Sequence, residues 1–355
     1  MNSCDILYIC GVPFYNQSIS GNGIILNILN SLGETFNVKK IALNWNANQF
    51  DDFIFSTDSL SDKSNDWLKN HIPSHKILFL AGDDLTNDQL IFINKHFKSQ
   101  TVVYVMTNWL FGDGDAYPEL NKSFSGEVSL KRLNAYKEIS CHILNASSYC
   151  EKIQGMSLFK DVDSSLIPLP FNQIHVCQPI KEKNTKDKII LWGSAHPTTR
   201  RKGLFEFEDI LKILKQKYPK TDEIKIHTAG PDPKLNCPFE VINKGLLDQN
   251  SMSLAYQHAN VFALTTLADG GPMMAAESIK NKTPIVSFQT NISTDLTLNG
   301  VNGYTVQTKE DFADKLYKIL FELDFKIDHS FVNKFNGEEV VLDKYNKLFN
   351  TFLKK

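Results

Sequence analysis

No apolar run in this sequence approaches the length of a membrane span, and none of its six cysteines stands in a CxxC or CxxH pair. The first absence excludes a protein built on membrane-crossing helices. Cys4, Cys10, Cys141, Cys150, Cys177 and Cys237 are scattered, so they read as reduced, mostly buried thiols rather than a disulfide framework or a zinc cluster. An excess of one charge is also missing. With 38 Lys and Arg against 40 Asp and Glu, the net charge of −2 argues against a general nucleic-acid binder. The opening MNSCDILYICG lacks the basic start and long apolar run of a secretory signal, so a cytoplasmic protein is expected. No basic amphipathic helix stands out, which leaves at most peripheral association with the inner face of a membrane. The dinucleotide fingerprint GxGxxG is absent, and Tyr136, Tyr149, Tyr304 and Tyr345 have no lysine four residues later. A Rossmann epimerase or dehydrogenase is therefore a poor reading.

What is present is ordinary globular composition, 42% hydrophobic and 22% charged, over 355 residues, a length that suggests two domains. Short apolar runs at 5–10, 38–43, 76–81 and 101–106 alternate with amphipathic stretches such as 87–97, the pattern of a doubly wound α/β sheet. After the first run, Ser20-Gly21-Asn22-Gly23 opens a helical pattern, placing Gly21 and Gly23 between a strand and a helix where a phosphate could approach. A plain turn suits them equally. Residues 173–187 are charged, proline-punctuated and weakly periodic, as a linker is. Beyond it a second series of strands (188–192, 224–230, 239–243, 261–265, 284–288, 303–306) and helices (204–217, 250–258, 273–280, 309–322) reads as another doubly wound sheet. The expected organisation is a first domain over 1–172, a linker over 173–187, a second domain over 188–330, and a helix near 338–355 returning to the first.

The most informative stretch is VFALTTLADGGPMMAAESIKNKTPIVSF, from Val261 to Phe288: strand, turn, helix, strand. Pro272 suits a first helical position, because its fixed φ is helical and its missing N–H has no partner there. The free N–H groups of the helix start, with Gly270 and Gly271 before Pro272 and Met273, make an anion site. Asp269 and Glu277 flank it, offering two carboxylates as acceptors for sugar and ribose hydroxyls. They equally suit a helix N-cap and an early acid favoured by the dipole. Upstream, Gly193 to Gly203 (GSAHPTTRRKG) is a basic strand-to-helix loop, in which Arg201 and Lys202 could neutralise a diphosphate. A solvated basic loop has the same composition. Asp113-Gly114-Asp115 and Asp161-Val162-Asp163 have metal-like spacing, but among 40 acidic residues such pairs arise by chance; they read as solvated loops, and no metal or cofactor is expected.

The Asp269…Glu277 spacing and Lys202-Gly203 resemble the retaining GT-B glycosyltransferases of family four, whose hallmark is an acid, seven residues, then Glu. Asp269 in place of the commoner Glu is similar to the branch serving bacterial capsule and exopolysaccharide assembly. That resemblance implies a GT-B fold, two Rossmann-like doubly wound domains facing across a cleft. It implies that Glu277 holds the ribose, that Asp269 with the amides of Gly270 and Gly271 meets the donor sugar, and that Lys202 and Arg201 stabilise the leaving diphosphate. Gly21 and Gly23 would approach the phosphates from the first domain, and the Lys244-Gly245-Leu246-Leu247 stretch would face the nucleobase. Trp109 and Tyr117 match the branch, whereas Met106 and Thr107 stand where it carries a His-Asp pair. The implied activity is metal-independent, retaining sugar transfer from a nucleotide-sugar donor to a glycan or lipid-linked saccharide. A noncatalytic GT-B-fold subunit, binding a glycosyltransferase partner or polysaccharide, is the alternative that the missing His-Asp pair suggests.

Overall fold

The computed structural model describes residues 3–10, 21–43, 53–56, 65–80, 87–105, 130–155, 157, 159–170, 174–178, 187–267, 269, 273–290, 293–323, 327 and 337–354. The chain forms two compact units. The first comprises Met1–Asp113, Gly126–Pro170 and Glu338–Lys355, the second Gly114–Ser125 and Phe171–Gly337. Unit 1 contains β1 (Cys4–Cys10), α1 (Gly21–Leu32), β2 (Val38–Leu43), β3 (Phe53–Ser56), α2 (Asn65–His71), β4 (His75–Leu80), α3 (Asn87–Phe97), β5 (Gln100–Val105), α4 (Leu130–Ile139), β6 (Ser140–Asn145), α5 (Ser148–Gly155) and β7 (Ser164–Leu166). Unit 2 contains β8 (Lys188–Gly193), α6 (Leu204–Lys217), β9 (Ile224–Ala229), β10 (Glu240–Asn243), α7 (Gln249–His258), β11 (Val261–Leu264), α8 (Met273–Lys280), β12 (Ile285–Phe288), α9 (Ser293–Leu296), β13 (Gly303–Val306) and α10 (Lys309–Phe321). The last helix, α11 (Glu338–Leu353), returns to unit 1. Among the described residues no helix is long and apolar enough to cross a membrane.

In unit 1 the strands pair in parallel in the order β3-β2-β1-β4-β5-β6-β7. A parallel sheet must be covered on both faces, and β1, inside the sheet, reads accordingly: Ile6, Leu7, Tyr8 and Ile9 are all buried. Part of the cover comes from α11, whose Val341, Tyr345, Phe349 and Phe352 recur at helical spacing on one buried stripe. Phe349 meets Phe79 of β4 edge-on at 5.9 Å and Phe36 at 6.1 Å, while Phe352 meets His142 at 5.4 Å. Lys344 Nζ donates to the Leu166 carbonyl.

Three elements of this unit escape a reading by pattern. The strand β3 is only four residues long, and α2 only seven, too short for a period to declare itself. Ala146-Ser147-Ser148 is a short polar stretch with no apolar period, yet Ser147 Oγ accepts the Cys150 N–H at 3.3 Å and caps α5, which buries Tyr149, Cys150 and Ile153. Gly21 and Gly23, expected in the loop ahead of α1, lie within its first turn.

Unit 2 has the parallel order β10-β9-β8-β11-β12-β13. Numbered by sequence within the unit, that is 3-2-1-4-5-6, the dinucleotide-fold order, with its switch point between β8 and β11. The strand period of two shows in β8: Ile190 and Trp192 join the core beneath α6 and α10, and Ile189 and Leu191 join the core beneath α7 and α8. Phe207, Ile210, Leu211 and Leu214 of α6 supply the stripe that covers the first face. Residues 174–178, within the stretch expected as a linker, are fixed to this unit. Ile174 is buried, the Cys177 N–H donates to Ser253 Oγ at 2.8 Å, and Gln257 Nε2 donates to the Cys177 carbonyl at 3.1 Å. The turn at 299–303 is structural: Asn302 is fully buried and bonds the Leu298 N–H and the Leu296 carbonyl, each at 2.9 Å.

Two consequences can be measured. Phe349→Ala removes a buried ring packed among Phe36, Phe79 and Tyr345 and should cost about 3–5 kcal/mol in urea unfolding of unit 1; a loss below about 1 kcal/mol would mean that α11 is not part of that core. In unit 2, His227 of β9 is held down at about 4 by burial, aided by Lys244 and Lys225, against an ordinary value of 6.5. The unfolded chain then binds the proton more readily, so this contribution to stability is complete above pH 6.5 and is lost as pH falls towards 4. His227→Gln should flatten that acid limb of a pH-stability curve, and an unchanged limb would assign it to other groups.

Candidate functional site

Open parallel sheets bind ligands beyond the carboxyl ends of their strands at the switch point. In unit 2 that place lies between the segment following β8 and the segment following β11. The first segment closes in a 3-10 turn, Arg200–Lys202, which Gly203 ends at φ 73°, in the left-handed region. A Cβ on Gly203 would lie 1.9 Å from the Thr265 carbonyl oxygen, so only glycine lets the turn approach the end of β11 this closely. Backbone and side-chain bonds then sew the two segments together. The Leu267 N–H donates to the Arg201 carbonyl at 2.8 Å. Trp192 Nε1, stacked on Phe207, donates to Thr265 Oγ1 at 2.9 Å, and Thr265 Oγ1 in turn reaches the Lys202 carbonyl at 3.4 Å.

This frame sets three side chains around a single atom. Asp269 Oδ2 accepts Arg201 Nη1 at 2.9 Å and Lys202 Nζ at 2.8 Å. All three side chains are largely buried, 19% exposed for Arg201, 20% for Lys202 and 8% for Asp269. Two cations thus share one carboxylate, and the triad keeps a net positive charge suited to an anion. The neighbouring Arg200 is engaged differently, gripping Glu206 in a bidentate pair with both distances at 2.6 Å. Of two adjacent arginines, then, Arg201 is the one that joins Lys202 at the switch point.

The helix after β11 carries Glu277. Its Oε2 accepts the hydroxyl of Tyr256, which projects from α7, at 3.0 Å. Burial raises the Glu277 carboxyl above its ordinary value, and the Tyr256 hydrogen bond opposes that rise. At the helix end, Asn281 Nδ2 donates to the Glu277 carbonyl at 2.9 Å. Met273 begins α8, half-buried against the core of that face. Gly193 ends β8 beside the same helix, where a Cβ would come within 2.6 Å of Met274 Cε. Leu246 follows β10 and is 79% exposed, in a loop pinned by the Gly230 N–H to the Gly245 carbonyl at 2.8 Å.

The sequence-expected residues Arg201, Lys202 and Asp269 are therefore brought together, with Glu277 on the adjoining helix. Gly270, Gly271 and Pro272 lie outside the described residues, as do Met106, Thr107, Trp109, Tyr117 and the Asp113-Gly114-Asp115 stretch. Gly21 and Gly23 belong to unit 1. Tyr256 and Thr265 were not legible as site residues. Neither carries a local signal, since Tyr256 meets Glu277 only because α7 and α8 lie side by side.

Comparison with solved structures defines the class of fold: this is the GT-B architecture of two Rossmann-like units. Sucrose-phosphate synthase from Thermosynechococcus elongatus superposes with a TM-score of 0.68 at 13% identity, covering 99% of each chain. The lipopolysaccharide outer core galactosyltransferase WaaB, in its apo form, gives 0.66 at 16% identity over 98% of this chain and 99% of its own. Anabaena Alr3699/HepE in complex with UDP and glucose gives 0.65 at 11% identity over 98% and 100%. More particularly, residues 186–322 match the family model described as Glycosyl transferases group 1, which takes in the site of unit 2. No curated protein matches the sequence.

The geometry makes the tight turn testable. Gly203→Ala should destabilise unit 2 by about 1–3 kcal/mol from backbone strain alone, with further loss from the collision with Thr265, read by urea unfolding. Wild-type stability in this variant would show that the turn can relax away from β11.

Proposed function

We propose that this chain is a retaining, metal-independent glycosyltransferase that moves a sugar from a nucleotide-sugar donor to a glycan or lipid-linked saccharide in bacterial surface polysaccharide synthesis. The observation that carries the reading is the pair of cations on one carboxylate, Arg201 and Lys202 on Asp269, at the switch point of a dinucleotide-type sheet, with Glu277 on the next helix. The match of residues 186–322 to Glycosyl transferases group 1 supports it. So does the GT-B likeness to proteins such as HepE, which was solved with UDP and glucose.

In this reading each group has one task. Arg201 offers a planar fork and Lys202 a mobile point charge to the donor diphosphate, and both neutralise the charge that grows as it departs. Asp269, already held by those cations, accepts a hydroxyl of the donor sugar. Glu277 accepts the ribose hydroxyls, for which it must be ionised. The bond from the anomeric carbon to the phosphate oxygen breaks, and the bond to the acceptor oxygen forms on the same face. The acceptor proton passes to the departing diphosphate. Because the charge on the leaving group is met by side-chain cations, the reading requires no metal. It places the enzyme in the cytoplasm, at most peripherally on the membrane's inner face.

A thermal-shift panel of UDP-, GDP-, ADP- and dTDP-sugars tests this directly, since a ligand that prefers the folded state raises the melting temperature. One nucleotide class should stabilise the wild type. Glu277→Ala should lose about 1.5–3 kcal/mol of that donor's binding, the usual worth of hydrogen bonds to a charged group. No shift from any donor, together with no turnover, would favour a noncatalytic subunit.

A further inference from the structure

We infer that Tyr256 is a positioning residue for donor recognition, holding the Glu277 carboxylate in the orientation that reads the ribose. The inference rests on the proposed function and adds to it a residue on a different helix. The hydroxyl of Tyr256 donates to Glu277 Oε2 at 3.0 Å. Tyr256 is fully buried, and its ring stands edge-on to Phe262 of β11, 5.4 Å away at 80°. The backbone around it is fixed as well. Its carbonyl accepts Thr283 Oγ1 and the Ala259 N–H, tying the end of α7 to the turn that follows α8. A buried phenol must place its hydrogen bond, and here it places it on the acid expected to meet the ligand.

The chemistry follows from the two oxygens of a carboxylate. A glutamate side chain has rotatable bonds to spare, so an unrestrained Glu277 would lose freedom on binding a ribose. With Oε2 bonded to a rigid phenol, the plane of the carboxylate is set before the ligand arrives, and Oε1 remains to complete a two-oxygen grip on vicinal hydroxyls. The bond also favours the ionised acid. Burial pushes the Glu277 carboxyl up, and the donated hydrogen bond pulls it back down. On α8 and the elements packed against it the other titratable groups are Lys280, one turn further along, His258 at the end of α7, and Asp295 on α9; β11 and β12 have none.

The test uses nucleoside diphosphates that differ only in the ribose. UDP and 2′,3′-dideoxy-UDP are titrated by calorimetry into the full chain, with GDP and ADP and their dideoxy forms in parallel, across a range of pH. In the wild type, the ribose hydroxyls should favour the natural nucleotide by about tenfold or more, the worth of hydrogen bonds to a charged group. Tyr256→Phe keeps the ring and its packing, and should cut that preference several-fold while leaving dideoxy binding unchanged. The preference should also disappear at a higher pH in the variant than in the wild type, because the acid has lost the bond that favours its charged form. Taking the ratio of the two nucleotides cancels the titration of the phosphates they share. In a Glu277→Ala background, Tyr256→Phe should have no further effect on the preference, as expected when one residue acts through the other.

Equal loss of both nucleotides in Tyr256→Phe would mark a packing role and overturn the inference. So would a ribose preference and pH limb identical to wild type. Failure of the underlying reading looks different: the wild type then binds no nucleoside diphosphate, or Glu277→Ala leaves the ribose preference intact.

Discussion

A single carboxylate oxygen, Asp269 Oδ2, joins the two segments from which the site of unit 2 is made. Arg201 and Lys202 come from the turn after β8, Asp269 from the stretch after β11, and the two strands are neighbours only because the sheet order reverses between them. Two cations crowded into a largely buried space repel each other and lose hydration, and an acid at 2.8–2.9 Å offsets both costs. The contact therefore helps to hold both cations there. It leaves a positive excess, which is what an anionic ligand requires.

Around this ion cluster the protein supplies rigidity from its apolar interior. Trp192 belongs to the core beneath α6, yet its indole N–H reaches out to Thr265, which in turn contacts the Lys202 carbonyl. The basic turn thus takes its position from a ring buried in the sheet. The same logic holds on the other face, where Tyr256 is packed against Phe262 and bonds Glu277. The basic turn and Glu277 each have a buried aromatic residue behind them. Gly203 completes the arrangement by having no side chain to hold the turn away from β11.

Much of the architecture was legible because its signals are local. Helices α6, α8 and α11 fall where apolar spacing puts them, since a stripe such as Phe207, Ile210, Leu211, Leu214 is written within one element. Short or capped elements were harder. A four-residue strand such as β3 has no room for a period, and α5 begins at a serine pair that resembles a loop until Ser147 turns its hydroxyl to Cys150. Residues 174–178 looked like linker because their own composition says so, whereas the groups that fix them, Ser253 and Gln257, lie more than seventy residues away.

The candidate site divides along the same line. The sequence by itself determined the inventory: an acid, seven residues and a glutamate around a glycine turn, and a basic loop closing on Lys202-Gly203. Residue types and short spacings decide what chemistry a segment can offer, and they are fixed by the chain alone. Only the tertiary structure paired Arg200 with Glu206 and set Arg201, already named from the sequence, on Asp269, and only it brought Tyr256 to Glu277. Those pairings depend on the order in which strands assemble and on how two helices lie against one face, contacts between residues distant in sequence that no local pattern records.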